Sequence, residues 1–185
     1  MRVAVLQVFV VGGRVLASVQ QCRRVVAVAT AKATFGAGCF WSVEAKLGEL
    51  SGVLDTTVGY EGGTLEKPTY KDVCTDQTGH AEVVEVTFDP TRLSYDALLE
   101  QFFALHDPTQ LNRQGPDWGT QYRSAIFAHD ENQQLEAEAK IAELNASGVF
   151  RRPVATKVER AGKFWKAEEY HQKYLEKRGM VSCHI

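Results

Sequence analysis

The sequence predicts an α+β fold in which a small mixed sheet is flanked by helices. Short segments with strand character are segregated from longer segments with helical character, which is the pattern of that class. The clearest strand covers residues 81–88, and its period of two puts Glu82, Val84, Val86 and Phe88 on one face. A chain of 185 residues with 44% hydrophobic content fits one soluble domain with a sizeable core.

The strands are identified by β-prone residues and by the turn residues that end them. An apolar segment leads into a glycine turn, and further strands are predicted at 55–60, 81–88, 123–128 and 154–160. A loop covers 61–70. A second loop, 109–122, is long, polar and glycine-rich, and loops of this length in a compact domain are usually functional or disordered. Its aromatic residues argue against disorder.

The helices are identified by capping residues, apolar stripes and stop signals. Ser94 caps the helix with the clearest apolar stripe, which ends before Asp107-Pro108. The other predicted helices cover 42–50, 131–147 and 166–178, the last one stopped by Gly179.

The composition argues against several classes of function. A net charge of −2 leaves no basic footprint for nucleic acid or an anionic membrane, and no apolar run approaches the length of a bilayer-spanning helix. The cysteines lie far apart and form no CxxC pair: they are Cys22, Cys39, Cys74 and Cys183. This spacing argues against a structural zinc site and against a disulfide-stapled scaffold.

Residues 1–32 are predicted to be an N-terminal extension outside the domain. The first acidic residue of the chain is Glu44, and the preceding segment is rich in Val and Ala with five basic residues. This composition resembles that of an organelle transit peptide, although an inert extension explains it equally well. We expect residues 1–32 to be poorly packed or removed. We expect the protein to be cytoplasmic, or to be located in a plastid or mitochondrion if residues 1–32 are a transit peptide.

The stretch around Cys39 predicts chemistry. Two glycines precede the thiol, and Phe40, Trp41 and a helix-prone segment follow it. A cysteine at the first helical turn lies at the positive end of the helix dipole, which stabilises a thiolate. The aromatic neighbours could wall an apolar pocket beside it. The alternative is a buried cysteine that only packs, as many free cysteines do.

Glu82 is the second candidate. If the strand face that carries it is buried, desolvation raises the pKa of its carboxyl, which then stays protonated near neutral pH and can donate a proton. The apolar side chains on that face favour its burial. The opposite register, with Glu85 inside, remains open.

Six motifs, taken in order along the chain, resemble those of the peptide methionine sulfoxide reductase A family. They are Gly38-Cys39-Phe40-Trp41, Gly59-Tyr60-Glu61-Gly62-Gly63, Pro68-Thr69-Tyr70, Gly79-His80-Ala81-Glu82, His106-Asp107-Pro108 and the stretch from Arg113 to Ser124. The resemblance covers residues 33–185 and implies a two-layer α/β sandwich with a ferredoxin-like core. Ser42 departs from the glycine that the family commonly has there.

The resemblance implies a role for each matching residue. Cys39 is expected to attack the sulfoxide sulfur and Glu82 to protonate its oxygen, leaving a sulfenic acid on Cys39. Cys183 is expected to resolve it as a disulfide that thioredoxin reduces, without metal or organic cofactor. The expected substrate-binding residues are Phe40 and Trp41 around the methyl group, Tyr70 and Tyr122 at the oxygen, Asp117 at the substrate N–H, and His171 and Tyr174 nearby.

The resemblance further implies a monomer that acts on oxidised proteins, peptides or free methionine sulfoxide, with a preference for the S epimer. Cys74 is expected to be structural. Packing alone could still explain Tyr70 and Tyr122, and a turn could explain Asp117.

Two other functions remain open from the residues. A thiol hydrolase would pair Cys39 with the imidazole of His80, His106 or His171. A redox switch would use a Cys39–Cys183 disulfide to change a partner surface without reducing a sulfoxide.

Overall fold

The computed structural model describes residues 6–11, 14–19 and 29–180, the first two ranges by backbone alone. Cys22 and Cys183 lie outside these ranges. The strands are β1 (Leu6–Val11), β2 (Arg14–Val19), β3 (Ala31–Ala37), β4 (Val53–Glu61), β5 (Ala81–Phe88), β6 (Arg113–Gln114), β7 (Asp117–Trp118), β8 (Ser124–Ala128), β9 (Lys157–Arg160) and β10 (Trp165–Lys166). The α-helices are α1 (Phe40–Gly48), α2 (Tyr70–Val73), α3 (Tyr95–Ala104) and α4 (Glu131–Ser147).

One six-stranded mixed sheet, ordered β10-β4-β5-β3-β8-β9, organises the domain. Its pairings are antiparallel except for the parallel pair β8–β9. β3 begins at Ala31 and pairs Ala31 with Phe88 of β5. β1 and β2 pair with each other in a separate antiparallel hairpin. The predicted α+β fold with a mixed sheet is confirmed.

Helices α1, α3 and α4 contribute to one core on a single face of the sheet. Phe35 of β3 lies in this core with Val43 of α1, Phe102 of α3 and Ala137 of α4. A smaller cluster on strands β5 and β8 packs against Ala161 and Phe164. The result is two layers, with helices on one side of the sheet. No helix in the described ranges is long and apolar enough to cross a membrane.

The predicted register of β5 is confirmed. Glu82, Val84, Val86 and Phe88 are all buried, and the three apolar residues belong to the main core. Glu85, on the opposite face, is partly buried and forms an ion pair with Lys32 at 2.7 Å. A strand with apolar residues at every second position buries that face, and Glu82 is buried with it.

The predicted helix at 166–178 is wrong. Residues 169–175 form consecutive turns, and only Glu176–Arg178 forms a short 3₁₀ helix. Lys173 has a left-handed backbone (φ 51°) that interrupts any helix, and its N–H donates to Glu44 at 2.8 Å. Hydrogen bonds to other elements therefore replace the helical ladder, and tertiary contacts override local propensity.

Other boundaries also differ from the prediction, among them that of α1, which covers Phe40–Gly48 rather than 42–50. The strand predicted at 154–160 begins only at Lys157, because the Ala155 N–H donates to the Pro108 carbonyl (2.7 Å) before the chain joins the sheet. The loop at 109–122 contains the small hairpin β6–β7 and a 3₁₀ turn at Thr120–Tyr122.

Candidate active site

Cys39 lies at the turn between β3 and α1. It occupies the N-cap position of α1, with φ −57° and ψ 117°, and its side chain is half-buried. Gly38 precedes it with φ 91°, which favours glycine. A Cβ at Gly38 would lie 2.7 Å from the Cβ of Gln114. The sequence prediction of a strand, a glycine turn and a helix with Cys39 at or near its first turn is confirmed.

Glu82 reaches the same helix terminus from β5. Its Oε2 accepts a hydrogen bond from the Phe40 N–H at 3.1 Å, and its side chain is 2% exposed. Burial raises the pKa of Glu82 to about 8, with the negative charge of Asp117 adding to the effect and the Phe40 N–H opposing it. The carboxyl is therefore largely protonated at pH 7. A protonated acid thus lies beside the residue that follows Cys39.

Tyr70, Tyr122 and Asp117 converge on this acid. Burial, followed by the charge of Glu82, raises the pKa of Tyr122, and both Asp117 and Cys39 lie close enough to add to the rise. Burial also raises the pKa of Tyr70, with a hydrogen bond to Cys74 and the charge of Glu82 contributing. Both phenols therefore remain protonated hydrogen-bond donors at neutral pH.

An aromatic wall lies beside the thiol. The Trp41 ring stacks on Tyr174 with centroids 3.8 Å apart, and its Nε1–H donates to His171 Nδ1 at 3.0 Å. His171 also packs against Phe40 and Tyr70, with ring centroids 5.1 and 4.6 Å away. These five aromatic rings, which come from α1, α2 and the 169–175 turns, can hold an apolar group next to Cys39.

The structure brings together nine of the ten predicted site residues, and Cys183 lies outside the described ranges. Cys74 follows α2, is exposed, and hydrogen-bonds to Tyr70. Partial desolvation raises the pKa of its thiol, with the Tyr70 hydrogen bond acting in the opposite direction. Among the described residues, no cluster of His, Cys, Asp and Glu could hold a metal ion.

The hydrogen bonds of the three candidate imidazoles go to groups other than the thiol. His80 bonds through Nδ1 to the Gly63 N–H and through Nε2 to the Leu65 carbonyl. His106 bonds to Phe102 O and Ser124 Oγ, and burial lowers its pKa to about 4. His171 bonds to Trp41, and its Nε2 has no hydrogen-bond partner among the described residues. The hydrolase hypothesis required an imidazole bonded to Cys39, so the site does not fit it.

Sequence reasoning missed two supporting residues. Glu168 accepts hydrogen bonds from the Tyr70 N–H (2.9 Å) and from the Tyr60 hydroxyl (3.0 Å). Tyr60 is fully buried, and its ring lies 6.0 Å from that of Phe40. Local spacing does not reveal the two hydrogen bonds of Glu168, because its partners lie about 100 residues away in the chain. The acidic pair before Tyr170-His171 was the only available signal.

On an α+β scaffold, a thiol at a helix N-terminus beside a protonated carboxylic acid defines an enzyme that can protonate the group its sulfur attacks. The sequence model described as peptide methionine sulfoxide reductase matches residues 31–185. The peptide methionine sulfoxide reductase MsrA of Acidobacterium capsulatum is 64% identical over 155 residues, which cover 84% of this chain and 99% of that protein. This chain belongs to the peptide methionine sulfoxide reductase A family and is an oxidoreductase.

Solved structures agree with this assignment. The reduced form of Mxr1 from Saccharomyces cerevisiae is 37% identical, with a TM-score of 0.76 over 81% of this chain and 86% of that chain. Mxr1 has also been solved in complex with Trx2. That structure aligns at 23% identity and a TM-score of 0.56, covering 82% of this chain and 91% of that one, and supports the fold alone.

Proposed function

We propose that this protein reduces the S epimer of methionine sulfoxide, peptide-bound or free, to methionine and thereby repairs oxidised proteins. The observation that carries the proposal is the hydrogen bond from the Phe40 N–H to Glu82 Oε2 at 3.1 Å. It holds a carboxyl with a pKa of about 8 beside the residue that follows the Cys39 thiol. Oxygen leaves a sulfoxide readily only after protonation, so the reaction needs both groups at one place.

The reaction balances with these two groups. The Cys39 sulfur attacks the sulfoxide sulfur while Glu82 protonates the oxygen, which Tyr70 and Tyr122 hold through their hydroxyls. The oxygen takes one proton from Glu82 and the thiol proton of Cys39, the S–O bond breaks, and the departure of water leaves an S–S sulfonium between Cys39 and methionine. Water then adds to the Cys39 sulfur, the S–S bond breaks with its electron pair on the methionine sulfur, methionine leaves, and Cys39 becomes a sulfenic acid. The thiol is thus oxidised as the sulfoxide is reduced, and the proton released by the adding water restores Glu82. The aromatic wall of Phe40 and Trp41 receives the methyl group.

Recycling is proposed to use Cys183 and thioredoxin. The Cys183 thiol condenses with the sulfenic acid to give a Cys39–Cys183 disulfide and water, and a thioredoxin dithiol then reduces this disulfide. Cys183 follows Gly179 by four residues, and the family resemblance favours it as the resolving thiol. Mxr1, whose reduced form is 37% identical to this chain, has been solved in complex with Trx2, which favours a thioredoxin as the partner.

The test is turnover of a peptide that contains racemic methionine sulfoxide, with dithiothreitol as reductant and chromatography of the remaining epimers. We expect loss of the S form alone, no activity in Cys39→Ser, and a fall in kcat of about 10²–10⁴-fold in Glu82→Gln, whose amide cannot donate the proton. Cys183→Ser should keep activity with dithiothreitol and lose it with thioredoxin. Reversible oxidation of folded protein without turnover would contradict the proposal and favour the redox switch.

A further inference from the structure

The Glu168 carboxylate connects two sides of the pocket. Its Oε1 accepts the Tyr70 N–H at 2.9 Å, and its Oε2 accepts the Tyr60 hydroxyl at 3.0 Å and lies 4.0 Å from His171 Nε2. Although partial burial acts to raise it, these hydrogen bonds hold the pKa of Glu168 below its usual value. The group is therefore an ionised acceptor at neutral pH.

His171 extends this contact to Trp41. Its Nδ1 accepts the Trp41 indole N–H at 3.0 Å, so a neutral ring carries its proton on Nε2. Burial lowers the pKa of His171, which keeps the ring neutral. The Nε2–H is buried, has no hydrogen-bond partner among the described residues, and faces Glu168. A negative carboxylate at this position favours the tautomer that Trp41 requires.

The backbone fixes the two residues relative to each other. The His171 N–H donates to the Glu168 carbonyl at 2.9 Å, which closes a single turn. A displacement of Glu168 therefore acts on Tyr70 directly and on Trp41 through His171.

We propose that Glu168 is a positioning residue that holds the oxygen-binding Tyr70 and the methyl-binding Trp41 in one arrangement around Cys39. Tyr70 lies on α2 and Trp41 on α1. Glu168 is linked to both residues, directly to Tyr70 and through His171 to Trp41. Small displacements of substrate-binding groups are costly to catalysis, with factors on the order of 10² for about 1 Å. Glu168 itself touches no reacting atom. This role in substrate binding rests on the proposed function.

The experiment compares Glu168→Ala with Glu169→Ala in the full chain. Glu169 is the adjacent exposed carboxylate, which pairs with Lys166 at 3.3 Å and Lys177 at 3.7 Å, and its loss should leave turnover unchanged. For Glu168→Ala we expect kcat/KM for the sulfoxide peptide to fall by about 10- to 100-fold. The rate of Cys39 alkylation by iodoacetamide should stay within about twofold, because the α1 turn does not depend on Glu168.

A second readout needs no turnover. The chain has three tryptophans, so the indole N–H signal of Trp41 can be assigned in an NMR spectrum by its loss in Trp41→Phe. This signal should shift in Glu168→Ala and stay in place in Glu169→Ala. Glu168→Gln, which keeps the side-chain volume, should shift it in the same direction with a smaller loss of kcat/KM, and it replaces the alanine variant if that fails to fold.

Three results would overturn the proposal: wild-type kcat/KM in both Glu168 variants, an unmoved Trp41 signal, or a loss of Cys39 alkylation in proportion to the loss of turnover. Absence of turnover in the wild type would instead reject the proposed function, and the indole signal would still decide the role of Glu168.

Discussion

Gly38 fixes the position of Cys39 by two separate constraints. Its backbone has φ 91°, and the space where a Cβ would lie is filled by the side chain of Gln114. Gln114 is itself buried in β6. The position of Cys39 therefore depends on the packing of the β6–β7 hairpin against the turn that carries it.

Gly38→Ala should destabilise the protein by about 2–5 kcal/mol. Left-handed backbone costs about 1–2 kcal/mol without glycine, and overlap with Gln114 adds about 1–3 kcal/mol. The matched control is Gly115→Ala, where φ is 57° and nothing lies within 4 Å of an added Cβ. It should cost about 1 kcal/mol. Urea unfolding of both variants measures the difference, and equal losses would show that the Gln114 overlap is relieved by movement.

Among the elements, the 169–175 turns show what sequence patterns cannot resolve. The turns extend the edge of β4, since the Gln172 amide accepts the Val58 N–H (3.0 Å) and donates to the Val58 carbonyl (2.9 Å). By contrast, β5 and α4 have the predicted bounds, because alternation and capping residues are local signals. The sequence likewise predicted Cys39 and Glu82 from their own segments. Glu168 escaped prediction because its partners lie on distant strands and helices.

Gln172→Ala should lower the free energy of unfolding by about 2–4 kcal/mol. The variant removes the partner of the buried Val58 N–H, and a buried unsatisfied donor costs about 1–3 kcal/mol beyond the lost bonds. Gln134→Ala is the control, because the Gln134 side chain donates to Glu138 at the surface of α4, and it should change stability by less than about 0.5 kcal/mol. Chemical denaturation checks both. A loss below about 0.5 kcal/mol for Gln172→Ala would mean that the turns hold without their link to β4.

At the scale of the whole molecule, buried titratable groups act on stability in opposite directions. Burial raises the pKa values of Glu44, Glu61 and Glu82 and lowers that of His106 to about 4. At the three acids the folded protein binds more protons than the unfolded chain. The free energy of unfolding therefore falls as pH rises and these protons are lost. At His106 the folded protein binds fewer protons, so stability is lost as pH falls below about 6.5. The two effects oppose each other between pH 4.5 and 6.5.

Above pH 6.5 the titration of Glu82 is no longer opposed by His106. Its folded pKa of about 8 lies above the unfolded value, so its stabilising contribution is complete below about pH 4.5 and is lost as pH rises through 8. Glu82→Gln keeps an acceptor for the Phe40 N–H and cannot ionise. We therefore expect the free energy of unfolding of Glu82→Gln, relative to that of the wild type, to increase by up to about 1.4 kcal/mol per pH unit between pH 6.5 and 8.

Urea unfolding of both proteins at pH 6.5, 7.2 and 8 measures this difference. Glu85→Gln on the opposite face of β5 is the control, and its ion pair with Lys32 should make it no more stable than the wild type at any of these values. A constant difference between Glu82→Gln and the wild type would show that Glu82 is already ionised at pH 6.5. The acid that the proposed reaction requires would then have to be another group, and the hydroxyls of Tyr70 and Tyr122 are the candidates.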